Sequence, residues 1–276
     1  MPSPLPPIPP VTNIDAVIAA IQEVIDWSIA GQSRLGYFAA LYKRITIAIR
    51  DGITKGLFDD GPRMERFDVI FASRYFEALN GYFHPANFPT VSHCWRVAFD
   101  GALLPGPILV QHMLAGVNAH IDLDLGIAAE QVAPGLKLPS LHHDFNTVNA
   151  VLASQTATVV GEINTLSPVL ADIYDVLMKR EIDLIADALV IVRDEAWDFA
   201  KILAAAPSFL DPSTIMLHDL KVAKIGMLIL HPPGLLGGVV DVIASRESRD
   251  IVKNIQTLDV AAEHPAPMTK TAAAKI

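Results

Sequence analysis

The stretch Pro105-Gly106-Pro107-Ile108-Leu109-Val110-Gln111-His112-Met113-Leu114-Ala115-Gly116-Val117-Asn118-Ala119-His120-Ile121-Asp122-Leu123-Asp124-Leu125 joins a helix-breaking triplet to a mostly apolar run. Eighteen residues follow the triplet, enough for about five helical turns. Apolar residues recur in it at steps of three and four, and no stretch alternates convincingly with period two. Ile108–Leu125 therefore reads as one long helix. Outward from it the same periodicity returns. Thr12-Asn13 can cap a helix carrying Ile14, Val17, Ile21, Val24 and Ile25 and ending near Gly31. A second helix spans about Arg34 to Gly56. The turn Asp59-Asp60-Gly61-Pro62 opens a third, with Pro near its first turn, and Ser92 can cap a short one through Trp95 and Phe99. Beyond a loop at Pro134–Ser140, helices are expected near His143–Leu166, Pro168–Met178, Glu181–Ala205 and Pro212–Leu230.

The fold class is accordingly all-α: a single multi-helix, bundle-like domain over residues 13–262. A proline-rich extended arm (1–12) precedes it, and a flexible tail (263–276) follows. No fixed-period repeat marks a solenoid. The window Ile225–Ala244 has the length of a membrane span, but His231-Pro232-Pro233-Gly234 interrupts it. It reads as two short buried helices joined by a turn, and no stable membrane span is expected.

Composition narrows the function classes. The 276 residues carry 21 Lys+Arg against 30 Asp+Glu, a net charge of −9, which argues against a nucleic-acid partner. Cys94 is the single cysteine, so no intrachain disulfide and no cysteine zinc cage can form. The opening MPSPLPPIPPVTN lacks the charged and apolar regions of a signal peptide, and the expected location is the cytoplasm. The sequence leaves room for a homo-oligomer.

The central helix concentrates costly polar groups in apolar surroundings. Positions 112, 116, 120 and 124 step by four and form one slowly drifting stripe. His120 and Asp124 lie about 6 Å apart along a regular helix axis, a spacing at which both can ligate one metal ion. His112 lies about 12 Å from His120 on that axis and can serve a second ion, a substrate's far end or proton transfer. Gly116 leaves a gap for a backbone, ligand or cofactor. The second constellation is His142-His143-Asp144-Phe145-Asn146-Thr147-Val148-Asn149. If the loop folds back, His143 or Asp144 completes the coordination sphere, and Asn149 orients a ligand or a water. Asp144 can equally be a helix N-terminal carboxylate, and a buried His120 paired with an acid needs no metal. Asn118 and Arg74 are further catalytic candidates, with Arg74 placed to pair with an acid across the bundle. Arg193 and Trp197 are four apart and can stack.

There is no Gly-rich phosphate loop, no G-x-S-x-G elbow and no H-E-x-x-H. The runs Phe67-Asp68-Val69-Ile70-Phe71-Ala72-Ser73-Arg74-Tyr75-Phe76, Gln111-His112 to Gly116, Asn118 to Leu125, Asp144-Phe145…Asn149 and Arg193…Ala196-Trp197 resemble the uncharacterised bacterial DUF5995 family. The likeness covers roughly residues 35 to 205 and implies no activity. More distantly, His120-x-x-x-Asp124 in a helical chain is similar to the zinc-dependent phospholipase C and P1-nuclease type enzymes, which hold a zinc cluster with such pairs and an N-terminal Trp. This chain departs from them in having one such pair and a proline-rich start, so one or two ions are implied at most.

The leading expectation is a metal-dependent enzyme, with zinc or iron, that hydrolyses an ester or phosphoester of a small, largely apolar molecule. Its bound water would have a lowered pKa. Three alternatives remain. One is a non-haem iron enzyme using His120, His143 and Asp124. Another is a haem protein with His120 or His112 as proximal ligand and Gly116 making room. The last is a non-catalytic helical carrier of an apolar ligand.

Overall fold

The computed structural model describes residues 3–168 and 181–267, and every regular element among them is helical. Helix α1 (Ile14–Gly31) starts where Asn13 Oδ1 accepts the Ala16 amide proton, and its buried stripe is Ile14, Val17, Ile21, Val24 and Ile25. It packs on α2 (Leu35–Thr54), after which Asp60 caps α3 (Gly61–Phe83) by accepting from Arg63 N. Ser92 caps α4 (His93–Gly101). The starts of α1, α3 and α4 each supply a side-chain oxygen to an amide that the helix itself leaves unpaired.

The central helix departs from the expected regular rod. It begins as α5 (Leu109–Val117), winds as a π-helix over Asn118–Leu125, and resumes as α6 (Gly126–Val132). A 3-10 turn (Gly135–Leu141) leads into α7 (His142–Leu166). Then come α8 (Glu181–Ala205), α9 (Asp211–Leu230), α10 (Leu235–Ala244) and α11 (Ile251–Ala262). The helix expected over Pro168–Met178 lies, past residue 168, outside the described residues.

The π segment is the centre of the bundle, touching α3, α4, α8 and α9. Around it the buried side chains form two clusters. One joins α1, α2, the end of α3, α4 and α5 through residues such as Ile21, Phe38, Tyr75, Trp95 and Met113. The other joins the start of α3 to α6, α7 and α8 through Met64, Phe67, Leu141, Phe145 and Trp197. Each fully buried Leu, Ile or Phe adds about 1.5–3 kcal/mol to stability.

The ends of the chain are tied to this body. In the arm, Leu5 and Ile8 are buried, and Trp27 Nε1 donates to Ser3 O at 2.9 Å. Asn80 clamps the backbone of Ile8 by accepting from its N at 2.8 Å and donating to its O at 2.9 Å. Beyond α11, Gln155 accepts from Ala266 N at 2.8 Å and donates to Ala266 O at 2.9 Å, so the first part of the expected tail is docked. Positions 268–276 lie outside the described residues.

The C-terminal apolar pair differs from expectation in burial. The turn falls at His231–Gly234 as read, but Leu235 and Leu236 are 92% and 66% exposed and α10 buries only Ile243. Its apolar side chains outnumber the positions on the one face that meets the bundle. Among the described residues no single helix is long and apolar enough to cross a membrane. Ser208–Leu230 with Leu235–Ala244 passes that test only as a pair bent by 59°.

The Asn80 clamp gives a test of the arm. Asn80→Ala is expected to cost about 2 kcal/mol in urea unfolding, because two buried backbone groups lose their partner. It should also speed proteolysis within the first ten residues. An unchanged unfolding midpoint would show that the arm adds nothing to stability.

Candidate functional site

Asp124 is 1% exposed, and both of its oxygens are used. Arg74 Nε on α3 donates to Oδ1 at 2.8 Å, and Trp95 Nε1 on α4 donates to Oδ2 at 2.7 Å. His120 Nδ1, one turn back on the π segment, lies 3.4 Å from Oδ2. The sequence expectation that Arg74 pairs with an acid across the bundle is met here. Burial by itself pushes the Asp124 carboxyl up; the Arg74 guanidinium, with His120 and Trp95, outweighs it and holds the group below its usual range. Burial pushes His120 down despite the pull of Asp124. The pair is thus a neutral imidazole beside an ionised carboxylate.

The His120 ring is enclosed by aromatics. Phe71 stacks on it with centroids 3.6 Å apart, and Tyr42 meets it edge-on at 4.6 Å. Its Nε2 is buried and has no partner among the described residues, and the same holds for the Tyr42 hydroxyl.

One face of this assembly borders a cavity of about 250 Å³ between the two core clusters. Its wall is built by α2 (Leu41, Ile45), α3 (Phe67, Phe71), α5 and the π segment (Val117, Ile121) and α7 (Val148, Leu152). Five polar or charged side chains interrupt the apolar lining: Asp68, His120, Gln155, Thr156 and Arg193. Asp68 Oδ2 has no partner among the described residues, and burial, with Glu65 adding repulsion, raises its carboxyl to about 7.

The remaining candidates fall elsewhere. His112 is buried beside Tyr37 and Arg34 in a separate small cleft, where burial and then Arg34 lower it to about 4. The π winding breaks the step-of-four stripe, so His112 and His120 serve different places. Gly116 opens no gap for a macrocycle, because a Cβ there would stand 2.5 Å from the Phe38 ring. Asn118 donates to the carbonyl of Val222 on α9 at 3.0 Å and so braces two helices. Asn149 accepts from Arg193 Nε. Arg193 lies over Phe145, 4.4 Å from its centroid, rather than over Trp197, and Trp197 packs on the Phe145 ring at 4.8 Å.

The two halves of the expected metal site do not meet. His143 is exposed, with Asp59 3.8 Å away. Asp144 is buried and spent on the start of α3: it accepts from Asp59 N at 2.6 Å, Asp60 N at 3.1 Å and Arg63 Nη2 at 2.9 Å. Among the described residues, no three His, Cys, Asp or Glu side chains converge to hold an ion. The donor set therefore does not fit a divalent metal shared by these segments. The Phe38 contact at Gly116 does not fit a haem face. Sequence reading missed Trp95 and Arg63 as partners of Asp124 and Asp144, since no local spacing links them. A signal for Arg193 did exist: it is the first charge after the apolar run Ala188-Leu189-Val190-Ile191-Val192.

Two substitutions test these assignments. Asp144→Ala should destabilise by about 3 kcal/mol in denaturant unfolding, because it removes one member of a buried ion pair. A metal-ligand role alone would leave apo-protein stability unchanged. Asp68 has a folded pKa above its unfolded one, so its penalty is absent in acid and grows as pH rises from about 4 through about 7. Asp68→Asn should therefore stabilise relative to wild type by an amount that grows from about pH 4 to about pH 7 and then levels off, reaching about 4 kcal/mol. A pH-independent difference would contradict the assignment.

A family model described as a family of unknown function (DUF5995) matches residues 14–232. The match spans most of the chain, and the protein belongs to that family. No curated protein and no solved structure matches it.

Proposed function

We propose that this protein binds one small, largely apolar molecule in the cavity between α2, α3, the π segment and α7, as a non-catalytic carrier. The observation that carries the reading is the cavity itself, about 250 Å³ and lined mostly by aliphatic and aromatic side chains. A dry apolar void of about 150 Å³ already takes up benzene, and ligand pockets typically combine apolar walls with a few polar groups that fix orientation. A folded chain leaves such a space at a cost in lost contacts, which a bound ligand restores.

A second reading follows from His120. A neutral imidazole with Nδ1 on an ionised carboxylate and Nε2 unpaired is the arrangement of a general base. On that reading the protein is an enzyme that moves a proton on its apolar ligand. Metal-dependent hydrolysis of an ester or phosphoester, as the phospholipase C or P1-nuclease likeness implies, finds no third donor beside His120 and Asp124 among the described residues.

Titration with a fluorescent apolar probe tests the carrier reading. Wild type should bind a single equivalent with enhanced emission. Leu152→Trp, which fills the cavity, should weaken binding at least about tenfold with the helical signal unchanged. Equal binding by both proteins would place the probe elsewhere and sink the proposal. His120→Ala separates the two readings: a carrier keeps its ligand affinity and shows no turnover to lose.

A further inference from the structure

Arg193 is a buried cation of a different kind from the others. Lys43 faces Asp259 at 2.8 Å, Arg44 faces Glu162 at 2.7 Å, Arg63 faces Asp144 at 2.9 Å and Arg74 faces Asp124 at 2.8 Å. Among the described residues, Arg193, 3% exposed, makes its direct contacts with neutral groups: Nε donates to Asn149 Oδ1, Nη2 donates to the Phe145 carbonyl at 2.6 Å, and the plane rests on the Phe145 ring. Its Nη1 has no hydrogen bond among the described residues. The neighbouring Asp194 is exposed on the outer side of α8. Burial draws the guanidinium down to about 9 against the opposing pull of Asp194, which still leaves it protonated at neutral pH. A buried charge without a direct ion-pair partner is strongly disfavoured, yet the surrounding dipoles hold this one in a fixed orientation.

Its place in the fold gives that charge a use. Arg193 forms part of the cavity wall together with Met64, Phe67, Leu125 and Val148. Asp68 is the one acidic side chain on the described wall, and it makes no ion pair with Arg193. We propose that the cavity is a site for an anionic amphiphile, a medium-chain carboxylate whose tail fills the apolar space and whose head meets the Arg193 guanidinium. The proposal rests on the reading of the cavity as a ligand site and adds the headgroup chemistry. A planar guanidinium matches a carboxylate through paired N–H donors. An amine would meet like charge, and an alcohol would leave the cation without its counter-ion.

Calorimetric titration of the full chain with decanoate, decanol and decylamine tests this. Decanoate should bind at least about tenfold tighter than either decanol or decylamine. In Arg193→Gln the advantage of decanoate over decanol should vanish, while decanol affinity changes little. Equal binding of decanoate and decanol by wild type would overturn the headgroup assignment and leave the apolar site standing. Binding of none of the three would overturn both. A decanoate preference that survives in folded Arg193→Gln would assign the headgroup to another residue and overturn the proposal. Should Arg193→Gln fail to fold, the wild-type headgroup series decides alone.

Discussion

An ionised carboxylate in the middle of an apolar bundle is the constraint from which the rest of this structure follows. Asp124 can remain charged there only if donors reach it from other elements. Arg74 and Trp95 do so from α3 and α4, and His120 completes the set from its own helix. These bonds fix where α3 and α4 cross the central helix, because a shift of about 1 Å would break charge-assisted bonds in a dry environment. The π winding over Asn118–Leu125 belongs to the same arrangement. It coincides with the residues that serve Asp124, and α9 laces across it through Asn118 to the Val222 carbonyl and His218 to the Asp122 carbonyl. Such windings within α-helices recur at functional sites.

Rigidity on one side of the His120 ring contrasts with open space on the other. The aromatic group of Phe38, Tyr42, Tyr75 and Trp95 surrounds the imidazole and fills the first core cluster. The second cluster packs around Phe145 and Trp197. Neither extends into the region that Phe71, Ile121 and Leu152 border. His120, backed by Asp124, and Arg193 are each held by a flanking cluster and border the space, with Asp68 on the same wall. That organisation suits a molecule with a long apolar body and one polar end.

Local patterning made most of the fold legible. Asn13 and Ser92 act as caps at the positions their side chains suggested, α3 opens at the expected Asp59–Pro62 turn, and period-3.6 stripes marked the helices that follow. The partnership of Arg74 with an acid was legible because an arginine amid aromatics requires one. The expected metal ligands do not converge among the described residues, because the logic that grouped them was purely local. His-Asp spacing along a helix says nothing of the arginine and tryptophan that arrive from positions 74 and 95 and use the carboxylate's lone pairs. The stripe from His112 to Asp124 assumed 100° per residue, and a π segment invisible in composition breaks it. Asp144 was read correctly only in its alternative role at a helix start, although the start it serves is that of α3 rather than its own. The cavity itself has no sequence signature, since its aliphatic lining is the same in kind as the core.

The central claim is that a space able to hold an apolar molecule exists beside His120. Crystallography of the full chain under xenon pressure tests it most directly, because xenon occupies dry apolar cavities. An anomalous peak bordered by Phe71, Ile121 and Leu152 is expected. Side chains packed through that volume, with no xenon in it, would contradict the account.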